Sequence, residues 1–183
     1  MKKQILFIHS AEKQETGAGS NHIVNYLREH SGEEYDIFYP KMPDPENPTY
    51  DAWKRIISKE FTWLEGDVIL IGHSLGGSVL LKYLSEEKIE NNISGLFLIA
   101  APHWGKDKDW MIDEYFLQKD FASKLPPIKK IFMYHSRDDE WVPFSHLFYY
   151  KDELPQAAVR KFGVKGHNFT TGIPELIADL KSL

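Results

Sequence analysis

The sequence predicts an α/β fold in which a mainly parallel sheet carries helices on both faces. Short apolar runs typical of buried strands alternate along the chain with stretches whose apolar residues recur at helical spacing. No repeat, low-complexity tract or linker interrupts this alternation. Alternating strands and helices form three-layer domains with right-handed crossovers. With 183 residues, the chain is expected to form one domain over 1–183.

The first elements follow from local patterns. Ile5–Ile8 is a continuous apolar run, as in a strand buried on both faces. Ser20 or Asn21 is a candidate cap for a helix that extends to about His30. A second strand is predicted over Tyr35–Tyr39. The chain therefore begins as a strand–helix–strand unit.

A proline-rich segment, 42–48, comes next and is expected to be a loop, because proline removes a backbone donor and restricts the residue before it. Thr49 or Asp51 begins a helix whose apolar residues recur at helical spacing through Leu64. The run 68–71 is the third strand. The remaining elements are predicted as a helix to about 87, strands over 95–101, 130–135 and 157–162, and helices over 111–121, 143–151 and 174–183.

Composition excludes several classes of function. The chain has 22 basic and 27 acidic residues, a net charge of −5 and no basic stripe, so a nucleic-acid partner is not expected. It has no cysteine, which excludes disulfides, thiol nucleophiles and Cys-ligated zinc. Its N-terminus lacks the features of a signal peptide, and no stretch approaches the ~20 apolar residues of a membrane span. We therefore predict a cytoplasmic protein without a membrane anchor, metal or cofactor.

The most informative motif is Gly72-His73-Ser74-Leu75-Gly76, which follows an apolar strand and precedes a helix. That order of strand, sharp turn and helix is the context of a nucleophile elbow, with the serine hydroxyl held above the sheet. The flanking glycines let strand and helix approach closely. The helix also directs its N-terminal N–H groups toward the space above the serine. Ser74 is therefore the candidate nucleophile.

Partners for Ser74 are expected just past the ends of other strands, because a parallel sheet places its site at the carboxyl ends. Asp138 and Asp139 follow the fifth predicted strand, and His167 follows the sixth. A serine hydroxyl needs a base to take its proton, and a carboxylate to orient that base. The order serine, aspartate, histidine predicts a serine hydrolase.

The motifs together resemble those of the α/β-hydrolase superfamily, and specifically of the small YdeN-like (retinoblastoma-binding-protein-like) serine hydrolases. In this short chain, the motifs that carry the resemblance are the loop Met42-Pro43-Asp44-Pro45, the Gly72–Gly76 elbow, the segment Asp139-Glu140-Trp141-Val142-Pro143 and Gly166-His167-Asn168-Phe169. The resemblance spans nearly the whole chain. It implies a minimal α/β-hydrolase sheet of about six strands and hydrolysis of carboxylesters or related acyl compounds.

The resemblance also favours Asp139 over Asp138 as the triad acid, because superfamily members commonly carry an Asp-x-x-Val-Pro pattern. The first oxyanion donor is expected to be the backbone N–H of Leu75. The second is the N–H of Ser10 or Ala11, since this chain lacks the His-Gly turn found in many relatives.

Two further questions stay open in the sequence. The candidate pocket residues are His9, His103, Trp104 and Trp141, and for each of them a packing role competes with substrate contact. The second question is whether the chain is a non-catalytic protein-binding module that kept the fold, although nothing in the sequence indicates a protein partner. A small-molecule acyl substrate is the expected partner.

Overall fold

The computed structural model describes residues 2–183 and contains, within them, one six-stranded sheet. Its strands are β1 (Lys3–Ile8), β2 (Tyr35–Phe38), β3 (Asp67–His73), β4 (Asn92–Ile99), β5 (Ile131–Ser136) and β6 (Ala158–Phe162). The strand order is β2-β1-β3-β4-β5-β6, and all neighbours are parallel. The chain moves outward from β1 to β2 and then reverses through β3. The switch point, where such sheets form binding crevices, therefore lies between β1 and β3.

Helices cover both faces of the sheet, as predicted. They are α1 (Asn21–His30), α2 (Tyr50–Phe61), α3 (Leu75–Glu86), α4 (Phe121–Lys124), α5 (Ser145–Glu153) and α6 (Pro174–Lys181), with a short 3₁₀ turn over Asp113–Tyr115. Successive strand residues alternate between two apolar clusters, one beneath α2, α3, α4 and α5 and the other beneath α1 and α6. This arrangement is the three-layer architecture that the sequence predicts.

Both expected helix starts lie close to their predicted positions, but only one is capped by a side chain. Thr49 Oγ1 accepts a hydrogen bond from the Ala52 N–H at 3.4 Å and caps α2. Ser20 immediately precedes α1, but its hydroxyl makes no capping bond. It accepts instead from the backbone N–H of Ser10, at 2.9 Å. Tertiary contact has therefore replaced the local cap.

The predicted helix over 111–121 is wrong. The structure has only the Asp113–Tyr115 turn there, and α4 begins at Phe121. The segment is fixed by contacts made across the fold. The Tyr115 hydroxyl donates to the Pro48 carbonyl at 2.7 Å, and Lys82 Nζ donates to the Phe116 carbonyl at 2.7 Å. These long-range bonds outweigh a weak intrinsic helix preference.

No helix among residues 2–183 is both long and apolar enough to cross a bilayer.

Candidate active site

Ser74 occupies the sharp turn between β3 and α3. Its backbone has φ 52° and ψ −126°, a left-handed conformation that a residue with a side chain adopts only at a cost of about 1–3 kcal/mol. The Ser74 N–H donates to the Ile99 carbonyl at 2.8 Å, so the turn is anchored to the end of β4. Strain held by surrounding structure is the feature expected of a nucleophile elbow.

The glycines around Ser74 permit this turn by letting backbones approach. A Cβ atom at Gly72 would lie 2.5 Å from Gly77 Cα. One at Gly76 would lie 2.4 Å from the carbonyl oxygens of both Ile8 and His9. The start of α3 is thus pressed against the end of β1. The motif glycines therefore set the spacing between the candidate nucleophile and the loop after β1.

Asp139 and His167 come together although 27 residues separate them in the chain. His167 Nδ1 lies 2.9 Å from Asp139 Oδ2 and 3.0 Å from Oδ1. The Asp139 side chain is 0% exposed, and that of His167 is 5% exposed. Because a carboxylate only accepts, Nδ1 of His167 carries the proton in this pair. In the neutral ring with this tautomer, the other nitrogen, Nε2, carries no proton and is able to act as a base.

Several donors converge on the Asp139 carboxylate and keep it ionised. Its Oδ1 accepts the backbone N–H groups of Trp141 at 2.9 Å and Val142 at 2.8 Å. His135 Nε2 lies 3.4 Å from Oδ2 and 2.9 Å from the Val142 carbonyl. Burial alone would raise the pKa of Asp139, but hydrogen bonds from His135, His167 and Val142 outweigh burial and hold the pKa well below its usual range. A charged acceptor therefore faces His167.

Asp138, the alternative acid, contacts the backbone of the histidine loop and not the ring of His167. Its Oδ1 accepts from the Ser136 hydroxyl and from the N–H groups of Lys165 and Gly166, both at 3.0 Å. It therefore fixes the loop that carries His167 to the end of β5.

Ser74 and His167 line the same cavity. Among the hydrogen bonds of residues 2–183, none joins Ser74 Oγ to His167 Nε2. Catalytic hydrogen bonds are often long or poorly aligned without substrate and tighten in the bound complex. The structure thus brings the three predicted residues to one place. A hydrogen bond joins Asp139 to His167, and none joins Ser74 to His167 within the described residues.

The loop after β1 distinguishes the two candidates for the second oxyanion donor. The Ser10 N–H donates to Ser20 Oγ and points into the protein, so it is unavailable to a substrate. Ala11 is exposed, lines the cavity, and its N–H has no acceptor within the described residues. Leu75 is the first residue of α3, where an N–H has no partner inside the helix. Leu75 and Ala11 are therefore the two residues whose N–H groups remain available as oxyanion donors. The Ser10 alternative is not supported, because its N–H is already bonded to Ser20.

The cavity beside Ser74 has a volume of about 470 Å³, within the range of small-molecule sites. Trp104 and Trp141 line it, as predicted. Its other walls come from the loops 46–48 and 110–115, and its charged side chains are Glu12, Glu46 and Glu114. No lysine or arginine within residues 2–183 lines it. The cavity is thus apolar inside and acidic at its edge.

Two predicted pocket residues do not reach this cavity. His9 is 0% exposed, with Nδ1 2.6 Å from the Ser10 carbonyl and its ring stacked on Tyr39. His103 turns toward α5, where Nε2 lies 2.6 Å from Glu153 Oε2. Both follow strands at the correct edge of the sheet, but their side chains point into packed layers. Position at a strand end did not determine the direction of the side chain.

A comparison with known families identifies the family of the chain. The model of the serine hydrolase family matches residues 16–173. The chain belongs to the serine hydrolase family. Among curated proteins, YdeN of Bacillus subtilis (strain 168), which is named as a hydrolase, is 28% identical over 150 residues, or 79% of this hydrolase and 75% of YdeN.

Solved structures similar to this hydrolase share its fold. The crystal structure of the Bacillus subtilis YdeN product has a TM-score of 0.83 at 23% identity, with 99% of this chain and 98% of that chain covered. An esterase from Exiguobacterium antarcticum has a TM-score of 0.67 at 16% identity, with 98% and 91% covered. A meta-cleavage product hydrolase from Pseudomonas fluorescens has a TM-score of 0.71 at 14% identity, with 98% and 88% covered. The hydrolase is therefore a YdeN-like protein with a minimal α/β-hydrolase fold.

Sequence reasoning missed the acidic edge of the cavity in this hydrolase. Glu46 belongs to the proline loop, and Glu114 to the segment wrongly predicted as helix. The loop is predicted as irregular, but nothing in its composition shows that it lines the cavity beside Ser74. Within residues 2–183, no group of three or more His, Asp or Glu side chains is arranged to hold a metal ion.

Proposed function

We propose that this serine hydrolase cleaves carboxylesters or related acyl compounds through an acyl-enzyme on Ser74. The observation that carries the proposal is the contact of 2.9 Å between His167 Nδ1 and the buried Asp139 carboxylate, with His167 and Ser74 on one cavity. The strained backbone at Ser74 supports the same role. Each residue supplies a chemical requirement that the others lack.

In the proposed reaction, His167 Nε2 removes the proton of the Ser74 hydroxyl as Oγ attacks the carbonyl carbon. The negative charge that develops on the carbonyl oxygen is held by the N–H groups of Leu75 and Ala11. His167 then protonates the leaving alcohol, and the acyl group stays on Ser74. Water attacks the acyl-enzyme with His167 again as the base. Asp139 stabilises the transient imidazolium throughout.

The cavity supports a neutral acyl substrate of moderate size. Its volume of about 470 Å³ is more than an acetyl group fills. The walls include Trp104, whose ring packs against the rings of both Trp110 and Tyr115. The carboxylates at its edge disfavour anionic substrates. We therefore expect uncharged alkyl or aryl esters to be preferred.

The direct test uses a fluorophosphonate probe, which forms a covalent bond only with an activated serine. We expect the wild type to be labelled, with the mass shift located on Ser74. Ser74→Ala should abolish labelling and reduce turnover of p-nitrophenyl butyrate by about 10⁶-fold. Ser123→Ala, which changes an exposed serine, is the matched control and should behave as wild type. A folded wild type without labelling or turnover would contradict the proposal and favour the non-catalytic binding module.

Three expectations from the sequence remain predictions: the single domain over 1–183, the cytoplasmic location and the independence from metal or cofactor.

A further inference from the structure

His73, the residue before Ser74, lies at the centre of a buried chain of hydrogen bonds that the proposed reaction does not use. Its Nδ1 lies 2.8 Å from Ser20 Oγ, and its Nε2 lies 3.0 Å from the backbone carbonyl oxygen of His167. Its ring packs against the ring of His167, with centroids 4.9 Å apart. His73 and Ser20 are each 0% exposed. One side chain thus contacts two segments that come from distant parts of the sequence.

The direction of each hydrogen bond in this chain is fixed by the groups involved. The His167 carbonyl only accepts, so Nε2 of His73 carries a proton. Burial and the neighbouring His167 hold the pKa of His73 well below its usual range, so its ring is neutral and Nδ1 is an acceptor. The Ser20 hydroxyl proton then points to Nδ1, and the Ser20 oxygen accepts the Ser10 N–H. The second contact of that hydroxyl, to Ser10 Oγ, is longer at 3.3 Å.

This chain of bonds joins the two loops that the reaction needs. One end fixes Ser10, which precedes the candidate oxyanion donor Ala11. The other end fixes the backbone of His167, the candidate base. Between them is His73, covalently attached to Ser74. The Ser10 N–H is bonded to Ser20, whereas the next N–H, that of Ala11, has no acceptor among the described residues, and Ala11 lines the cavity.

We propose that His73 is a positioning residue that holds the loop of Ser10 and Ala11 and the loop of His167 in place relative to Ser74. The proposal rests on the proposed function. A side chain needed only to fill space at this site would not require two ring nitrogens, because burying polar atoms is costly unless each has a partner. Here both nitrogens have one: the partner of Nε2 belongs to the His167 loop, and the partner of Nδ1 accepts the Ser10 N–H. Hydrogen bonds from residues behind an active site keep its groups within about 0.5 Å of the productive geometry.

The test compares His73→Phe, which keeps a ring but removes both nitrogens, with His73→Gln, whose amide can still donate toward the His167 carbonyl. We expect His73→Phe to lower kcat on p-nitrophenyl butyrate by about 10–100-fold, because misplacement by about 1 Å costs this much. KM should change by less than about twofold, because His73 does not line the cavity. His73→Gln should recover at least about fivefold of the loss. His30→Phe, an exposed histidine on α1, is the matched control and should leave kcat unchanged.

Ser20→Ala keeps the proposal testable if His73→Phe does not fold, since it deletes only the hydroxyl that joins Ser10 to His73. It should lower kcat by about tenfold with KM unchanged. A folded His73→Phe with kcat within about threefold of wild type would overturn the proposal. So would equal losses in His73→Phe and His73→Gln together with a fully active Ser20→Ala, since that pattern indicates packing alone.

Nitrogen NMR gives a readout that does not depend on turnover. In the wild type we expect ring ¹⁵N shifts for His73 of the neutral form protonated on Nε2 at pH 7. A proton on Nδ1 would overturn the proposal. An inactive wild type that also escapes the fluorophosphonate probe would contradict the proposed function instead, so the two failures are distinguishable.

Discussion

Replacing Gly76 by alanine tests whether the elbow depends on its close approach to β1. A methyl group there would lie 2.4 Å from the carbonyl oxygens of Ile8 and His9, whereas ordinary C···O contacts lie at about 3.3 Å or more. The backbones must therefore separate by about 0.9 Å. Alanine in a helix gains about 1 kcal/mol over glycine, but overpacking against backbone costs about 1–3 kcal/mol or more. We expect net destabilisation, because backbone carbonyls cannot rotate away as a flexible side chain can.

The expected result is a melting temperature lowered by about 2–8 °C, from a net loss of about 1–2 kcal/mol in a chain of this size. Turnover should fall by about 10²-fold, because the displaced carbonyls precede the loop of Ala11. Thermal unfolding and p-nitrophenyl butyrate hydrolysis measure the two effects.

The matched control is Gly163→Ala, where a Cβ atom meets nothing within 4 Å. It should leave both the melting temperature and the turnover near their wild-type values. A Gly76→Ala protein as stable and active as Gly163→Ala would refute the reasoning, because the close approach of α3 to β1 would then carry no cost.

The remaining predictions concern the acid, the edge of the cavity and pH. Asp139→Asn should lower kcat by about 10⁴-fold by destabilising the required tautomer of His167, whereas Asp138→Asn, which keeps an oxygen toward the loop, should lose far less; steady-state kinetics of the two proteins decide this. A p-nitrophenyl monoester of succinate should be cleaved with a kcat/KM about tenfold below that of the neutral butyrate at low salt, a gap that added salt narrows; equal values would contradict the effect of the acidic edge. The unfolding free energy should fall as pH drops from 6.5 toward 4, because burial lowers the folded-state pKa of three histidines, to about 4 for His146, and these side chains therefore bind protons on unfolding. Urea titrations at pH 7 and 5 test this, and equal stability at the two pH values would contradict it. The histidines concerned are His9, His73 and His146.

The fold and the three catalytic candidates could be predicted because both depend on local patterns with one simple geometric rule. Apolar runs predicted the strands, and the rule that strand ends share one edge predicted that Ser74, Asp139 and His167 would meet. The Asp-x-x-Val-Pro resemblance favoured Asp139 over Asp138. In the structure, the N–H groups of Trp141 and Val142 bind the Asp139 carboxylate, which contacts His167.

What the sequence did not show depends on contacts made across the fold. The hydrogen bond from the Ser10 N–H to Ser20 Oγ occupies one of the two candidate oxyanion donors, and no local propensity indicates it. His103 follows β4 at the correct edge, but its ring turns to Glu153 because α5 packs there. The segment 111–121 loses its predicted helix for the same reason, since its conformation is set by bonds to distant backbone.

The cap segment over 104–117 contrasts with the strand ends beneath it. Tyr115 attaches it to the Pro48 carbonyl, and Lys82 donates to the Phe116 carbonyl. The candidate catalytic residues Ser74, Asp139 and His167 instead follow the carboxyl ends of strands. Replacement of this short irregular segment would change which substrates fit the cavity without moving the candidate catalytic residues. Diversification of substrate range among related chains is therefore expected to concentrate there, where insertions and replacements interrupt no strand.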